Sequence, residues 1–166
     1  EKNLTPIDKL SFIGQRSMGA LEFEPSNKIS QDNDFSLDDL YHKAQEILQK
    51  REDTVVAGKD ISLESLYEVG TSAGGQHTKA IIARNNHTGE IRSGQILLPS
   101  EYTYYILKFA EKDYYPLTII EMVYSEMAKL TGITMMPSEL IKIDGDCHFL
   151  TERYDRKDGK KIHTQT

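Results

Sequence analysis

Glycines, hydroxyls and a lysine crowd into ten residues, Gly70-Thr71-Ser72-Ala73-Gly74-Gly75-Gln76-His77-Thr78-Lys79. Gly70, Gly74 and Gly75 can adopt positive φ and let backbone N–H groups approach an anion closely. Thr71 and Ser72 add hydroxyls, and Lys79 adds a point charge. The run matches neither Gly-x-x-x-x-Gly-Lys-Ser/Thr nor Gly-x-Gly-x-x-Gly. A phosphate cradle and a plain flexible loop both fit it.

Lys108 interrupts the apolar run Tyr104-Tyr105-Ile106-Leu107-Lys108-Phe109. Strand alternation puts Tyr104, Ile106 and Lys108 on one face, and Tyr105, Leu107 and Phe109 on the other. A lysine in such a strand must snorkel to water, pair with an acid or bind a ligand. Glu121, early in the next predicted helix, is the candidate acid. In protein kinases a strand lysine contacts the nucleotide phosphates and a helix glutamate holds it. Glu121 also suits a plain helix-start acid favoured by the dipole. Further on, Thr151-Glu152-Arg153-Tyr154-Asp155-Arg156 follows an apolar run. Two readings fit: a kinase-type hinge whose backbone bonds adenine, and an exposed charged strand end.

These groups need elements to hold them. Residues 4–35 read as irregular, with Ile7, Leu10, Phe12 and Ile13 apolar and a short strand-like alternation over residues 20–24. Ser36 caps an amphipathic helix carrying Leu37, Leu40, Tyr41, Ala44, Ile47 and Leu48 at helical spacing. A short helix is predicted over residues 62–68, and strands over 80–83, 91–98 and 104–109. Residues 117–131 form a helix with Ile120, Val123, Met127 and Leu130 on one face, ended by Gly132. Residues 139–143 and 147–151 form a hairpin around Asp144-Gly145-Asp146. The tyrosines at 102, 104, 105, 114 and 115 read as sheet packing, because basic residues are not interleaved densely enough for base stacking. This order of strands and helices predicts an α+β fold on an antiparallel sheet.

Composition narrows the function classes. The 166 residues carry a formal net charge of -6, which disfavours a broad nucleic-acid surface. One cysteine, Cys147, excludes an intrachain disulfide and suits a reducing cytoplasm. No apolar run approaches the roughly 18 residues that span a membrane. The histidines and acids show no metal-ligand spacing, and Cys147-His148 reads as one residue on each face of a strand. Glu1-Lys2-Asn3 has neither an initiator Met nor a signal-peptide pattern, so the chain reads as a segment of a longer protein.

Taken in order, four segments resemble the HipA family, the kinase toxins of bacterial toxin–antitoxin systems. Phe12-Ile13-Gly14-Gln15-Arg16-Ser17-Met18-Gly19-Ala20-Leu21-Glu22-Phe23 is similar to the segment before the family's kinase core. Residues 70–80 resemble its phosphate-binding loop and Tyr105-Ile106-Leu107-Lys108 its ATP-lysine strand. Phe149-Leu150-Thr151-Glu152-Arg153-Tyr154-Asp155-Arg156 resembles its hinge, with Tyr154 where Phe is usual. The resemblance implies a family-specific segment with one amphipathic helix over residues 1–60, and a kinase-like N-lobe over residues 61–166. It implies ATP with Mg²⁺ as cofactors, and a nucleotide site built from Thr71, Ser72, Ala73, Gly74, Gly75, Lys79, Lys108, Glu121, Glu152 and Tyr154. Thr71 or Ser72 matches the position that many members autophosphorylate, which ejects the loop and inactivates the kinase. A HipB-like helix-turn-helix antitoxin and a protein substrate, such as an aminoacyl-tRNA synthetase, are the implied partners. There is no His-x-Asp-x-x-x-x-Asn and no Asp-Phe-Gly-like segment. The catalytic Asp and the metal-binding Asp and Asn are therefore expected in a C-terminal lobe beyond Thr166. This chain alone is then expected to hold no catalytic residue and to be inactive. The rival expectation is a non-catalytic kinase-like module that docks on a protein partner; a small α+β domain whose loop binds nothing is the third.

Overall fold

The computed structural model describes residues 5–26, 37, 40, 42, 77–111 and 116–164. Its centre is an antiparallel sheet of five strands in the order β2-β1-β3-β5-β4. The strands are β1 (Lys79–Asn85), β2 (Ile91–Ser93), β3 (Tyr102–Lys108), β4 (Ser138–Ile143) and β5 (Asp146–Glu152). Two helices are bounded, α1 (Pro6–Ile13) and α2 (Leu117–Leu130), and a small hairpin of β6 (Arg156–Lys157) and β7 (Lys160–Lys161) follows the sheet. The expected α+β class with an antiparallel sheet is the one observed.

β1 reads Ala-Ile-Ile-Ala through its middle because it is covered on both faces. Ala80, Ile81, Ile82 and Ala83 are all at most 3% exposed, so alternation with polar residues would bury unpaired groups. One face joins Ala80, Ile82, Tyr105, Leu107, Phe109, Ile143 and Leu150 into the main core, and Leu40 packs there too. Leu37, Leu40 and His42 are helical, as the spacing after Ser36 predicts; the rest of that helix, and the helix predicted over residues 62–68, lie outside the described residues. The opposite face gathers Ala83, Leu98, Tyr102 and Tyr104. Tyr102, Tyr104 and Tyr105 thus pack in the sheet as expected; Tyr114 and Tyr115 lie outside the described residues.

The β4–β5 hairpin has the predicted Asp-Gly turn. Ile143 pairs with Asp146, leaving a two-residue loop in which Asp144 and Gly145 both have positive φ, 50° and 86°. That twist matches the strands it joins. The same device recurs unpredicted at Asp158-Gly159, which turns β6 into β7.

Several expectations fail for local reasons. Within residues 4–35, read as irregular, Pro6–Ile13 is a helix. Thr5 Oγ accepts the Asp8 N–H at 3.2 Å and Asp8 accepts the Thr5 N–H at 2.9 Å, a reciprocal cap with Pro6 in the first turn. The signal was Thr5-Pro6-x-Asp8. Residues 20–24 are not a strand; the Leu21 carbonyl and the Glu22 carboxylate meet Lys161 of β7 instead. The strand predicted over 91–98 stops at Ser93. Gly94 folds against β1 so closely that a Cβ there would lie 2.5 Å from the Ile82 carbonyl oxygen. In α2 the stripe of Val123, Met127 and Leu130 is 50%, 53% and 87% exposed, while Thr118 and Ser125 are its buried residues. Helical spacing grouped the stripe correctly but did not say which face meets the sheet.

Candidate functional site

Lys108 is the last residue of β3, and Glu121 stands one turn into α2. Lys108 Nζ lies 2.5 Å from Glu121 Oε2, within the ion-pair range that the alternation suggests. Both side chains are about one-third exposed, 31% and 35%. A pair so wet contributes at most about 1 kcal/mol to stability. It orients the ammonium rather than holding the fold. Lys108 also stands over the Phe149 ring, 5.8 Å from its centre. Lys79 is opposite Lys108 in the β1–β3 register, so both lysines leave the same sheet face. Lys79 is only 9% exposed.

α2 reaches this place because its first turn is tied to the sheet. Thr118 Oγ donates to the Cys147 carbonyl at 2.7 Å. The chain leaving Lys108 is fixed by a buried histidine. Nδ1 of His148 accepts the Ala110 N–H at 3.0 Å, and Nε2 lies 3.2 Å from the Ile143 carbonyl. Those contacts require the neutral Nε2–H tautomer. Burial holds the His148 pKa below its ordinary value, although the Ile143 carbonyl and Asp146 oppose the shift. Next to it, Glu111 accepts the Thr78 N–H at 2.8 Å and stands 3.4 Å from His77 Nδ1. Glu111 thereby ties the start of β1 to the end of β3. His77, Lys108, Glu111, Thr118 and Glu121 line one pocket. Thr71, Ser72, Ala73, Gly74 and Gly75, which precede His77, lie outside the described residues.

The hinge candidates sit at the end of β5, on the far side of β3 from β1. Glu152 pairs with Tyr105, three steps along from the Lys108–Phe149 pair, or about 10 Å. Its N–H donates to the Pro137 carbonyl at 2.9 Å. Pro137 has no N–H to return, so the Glu152 carbonyl has no ladder donor there. Tyr154, two residues on, is 57% exposed.

The charged residues beside them overturn the reading of residues 151–156 as an exposed charged end. Arg153, Asp155 and Arg156 are only 2%, 1% and 8% exposed. Asp155 takes Arg153 through two hydrogen bonds, 2.8 and 2.7 Å, and Arg156 at 3.0 Å. It also accepts the Gly19 N–H at 2.7 Å. Burial would raise the Asp155 pKa, but the Arg153 and Gly19 hydrogen bonds outweigh it and hold the carboxyl below its usual value. One carboxylate faces two guanidiniums, so backbone carbonyls take up the surplus positive charge. Arg156 donates to Gly19 O at 3.2 Å and to Ser17 O at 2.9 Å. Glu111, His148 and this charge cluster add to the site residues that the sequence points to. The one available signal was alternation within Glu152-Arg153-Tyr154-Asp155-Arg156, which sends Arg153 and Asp155 to one side.

A family model described as the HipA-like C-terminal domain matches residues 71–166, more than half of the chain. The chain belongs to that family. Comparison with curated proteins found no match. Among solved structures, a chain of the Shewanella oneidensis MR-1 toxin–antitoxin complex of HipA, HipB and operator DNA aligns with 93% of this chain, at 18% identity and a TM-score of 0.50. That likeness concerns the fold. The present chain spans 34% of that chain's length. The HipA-like assignment agrees with the resemblance of the chain to that family; the segment Phe12–Phe23 lies outside the matched residues. No helix among the described residues is long and apolar enough to cross a membrane.

Proposed function

We propose that this chain is the ATP-binding lobe of a HipA-type serine/threonine kinase. The observation that carries the reading is the Lys108–Glu121 pair at 2.5 Å, in a pocket reached by the strand that follows the glycine-containing loop. ATP supplies the γ-phosphoryl group; the residues here bind and orient it. Lys108 would hold phosphate oxygens as a point charge, kept in place by Glu121. The Glu152 carbonyl, which meets no N–H at Pro137, suits the exocyclic amine of adenine, and the Tyr154 N–H, two residues on along the same edge, suits a ring nitrogen. Residues 70–75 would wrap the phosphates, with Lys79 at their base. Among the described residues no cluster of three or more His, Cys, Asp or Glu could hold a metal ion. In this reading the ligands of Mg²⁺ and the catalytic Asp come from outside the described residues, in the intact enzyme. The acceptor is a protein hydroxyl, with an aminoacyl-tRNA synthetase as the family-based candidate. A HipB-like antitoxin is the expected partner, and the cytoplasm the expected location.

The exposed stripe on α2 favours a second reading, a non-catalytic module that docks on a protein. Calorimetric titration of ATP into full-length wild type and into the Lys108→Ala and Glu121→Gln variants separates the two. The kinase reading expects micromolar-range binding that weakens in both variants, together with transfer of radiolabel to protein. Equal ATP affinity in all three proteins would sink it.

A further inference from the structure

We propose that Asp155 is a positioning residue for the hinge, and that it works by clamping the hinge to a strap formed by residues 17–22. The inference rests on the nucleotide reading above, and it assigns a role to residues outside the pocket around Lys108. The strap and the hinge are more than 130 residues apart in sequence, yet polar bonds join them at every turn. Asp155 holds the Gly19 N–H, and Arg156 holds the carbonyls of Gly19 and Ser17. At the other end Lys161 stands 3.2 Å from Glu22 and donates to the Leu21 carbonyl at 3.3 Å. The Asp155 carbonyl accepts the Ile162 N–H at 2.9 Å, which ties the β6–β7 hairpin into the same knot.

The strap also fits sterically. Gly19 is buried with φ of 71°, and a Cβ there would meet Thr164 Oγ at 2.7 Å. Only glycine passes between the hinge and residue 164 in this conformation. On the other side, Arg153 donates its backbone N–H to the Tyr104 carbonyl at 2.8 Å, and its side chain reaches Asp155. Tyr154 is therefore flanked by two residues locked by the clamp, while its own side chain points to solvent. The direction of the Tyr154 N–H is set by neighbours that never touch a ligand. Loosening the strap should spoil the adenine edge and leave the phosphate end, around Lys108, untouched.

The test compares ATP with inorganic tripolyphosphate as ligands of the full-length protein. Asp155→Asn replaces the shared acceptor by a group with only one acceptor oxygen. Gly19→Ala forces the strap out while keeping all three charges, and serves if Asp155→Asn does not fold. Hydrogen–deuterium exchange without nucleotide should rise over residues 17–23 and 153–162 in both variants. ATP affinity should fall about tenfold, the loss expected when one or two hydrogen bonds to the base are misplaced. Tripolyphosphate affinity should stay unchanged, which a merely destabilised fold would not achieve selectively. Asp155→Glu should recover part of the ATP preference. Unchanged exchange in the variants overturns the clamp, and raised exchange with a wild-type ATP-to-tripolyphosphate ratio overturns the positioning role. A wild type that binds tripolyphosphate but shows no preference for ATP overturns both the adenine reading and the positioning role, while the exchange data still decide whether the strap holds the segment.

Discussion

Lys108 and Asp155 are both charged and both paired, but their surroundings give them opposite tasks. The Lys108–Glu121 pair is wet on both sides, so breaking it costs the fold less than about 1 kcal/mol. Lys108→Met should lower ATP affinity by roughly 10- to 100-fold, as for loss of a charge-assisted contact. It should shift the urea midpoint only slightly. A large stability loss without an affinity change would make Lys108 structural. Asp155 is 1% exposed and touches two arginines. Removing it leaves two buried guanidiniums without their anion, a change that costs several kcal/mol. A charged group that water reaches is free to meet a ligand, whereas one shut away from water holds the backbone around it in place.

Elements hold the site through their ends. β5 carries His148, and that ring holds the exit of β3 only while neutral. Its folded-state pKa lies below the ordinary value of 6.5. Folding therefore binds fewer protons than the unfolded chain as the pH falls through 6.5, and stability is lost on the acid side, by up to about 1.4 kcal/mol per pH unit. Urea denaturation between pH 8 and pH 5 should show this loss in the wild type. His148→Asn should be weaker at pH 8 but lack this part of the pH dependence; parallel curves would exclude His148 as the source. β2 ends where Gly94 meets the Ile82 carbonyl. Gly94→Ala must push backbone aside, so it should cost roughly 1–3 kcal/mol. A midpoint equal to wild type in chemical denaturation would show that β2 moves freely.

At the scale of the whole molecule, the glycine-containing loop joins the pocket through His77 and Thr78, which Glu111 holds. A phosphate on Thr71 or Ser72 would bring nearly two negative charges to the place proposed for the ATP phosphates. It should exclude ATP by repulsion. After incubation of the full-length protein with ATP and Mg²⁺, mass spectrometry should find one phosphate in the loop, and ATP affinity should fall. The Thr71→Ala, Ser72→Ala double variant should keep its affinity; an equal fall in that variant would rule out the mechanism. The phosphate is expected on Thr71, which directly follows Gly70, slightly ahead of Ser72.

Local rules written in the sequence determined β1, β3, the Asp144-Gly145 hairpin of β4 and β5, the α+β class and the two faces of β3, because alternation and turn chemistry act between near neighbours. They also brought Lys108 and Glu121 together, since a strand, a short connection and one helical turn leave few other places for the acid. The capping box of α1 is equally local, carried by Thr5 and Asp8. Tertiary structure alone decided which side of α2 meets the sheet, why Gly94 cuts β2 short, and that Arg153, Asp155 and Arg156 are buried. Hydropathy places three charged residues in water. Here the Gly19 N–H and the carbonyls of Ser17 and Gly19, more than 130 residues away, supply the partners that make burial affordable. No periodicity within residues 151–156 can announce a partner so distant in the chain.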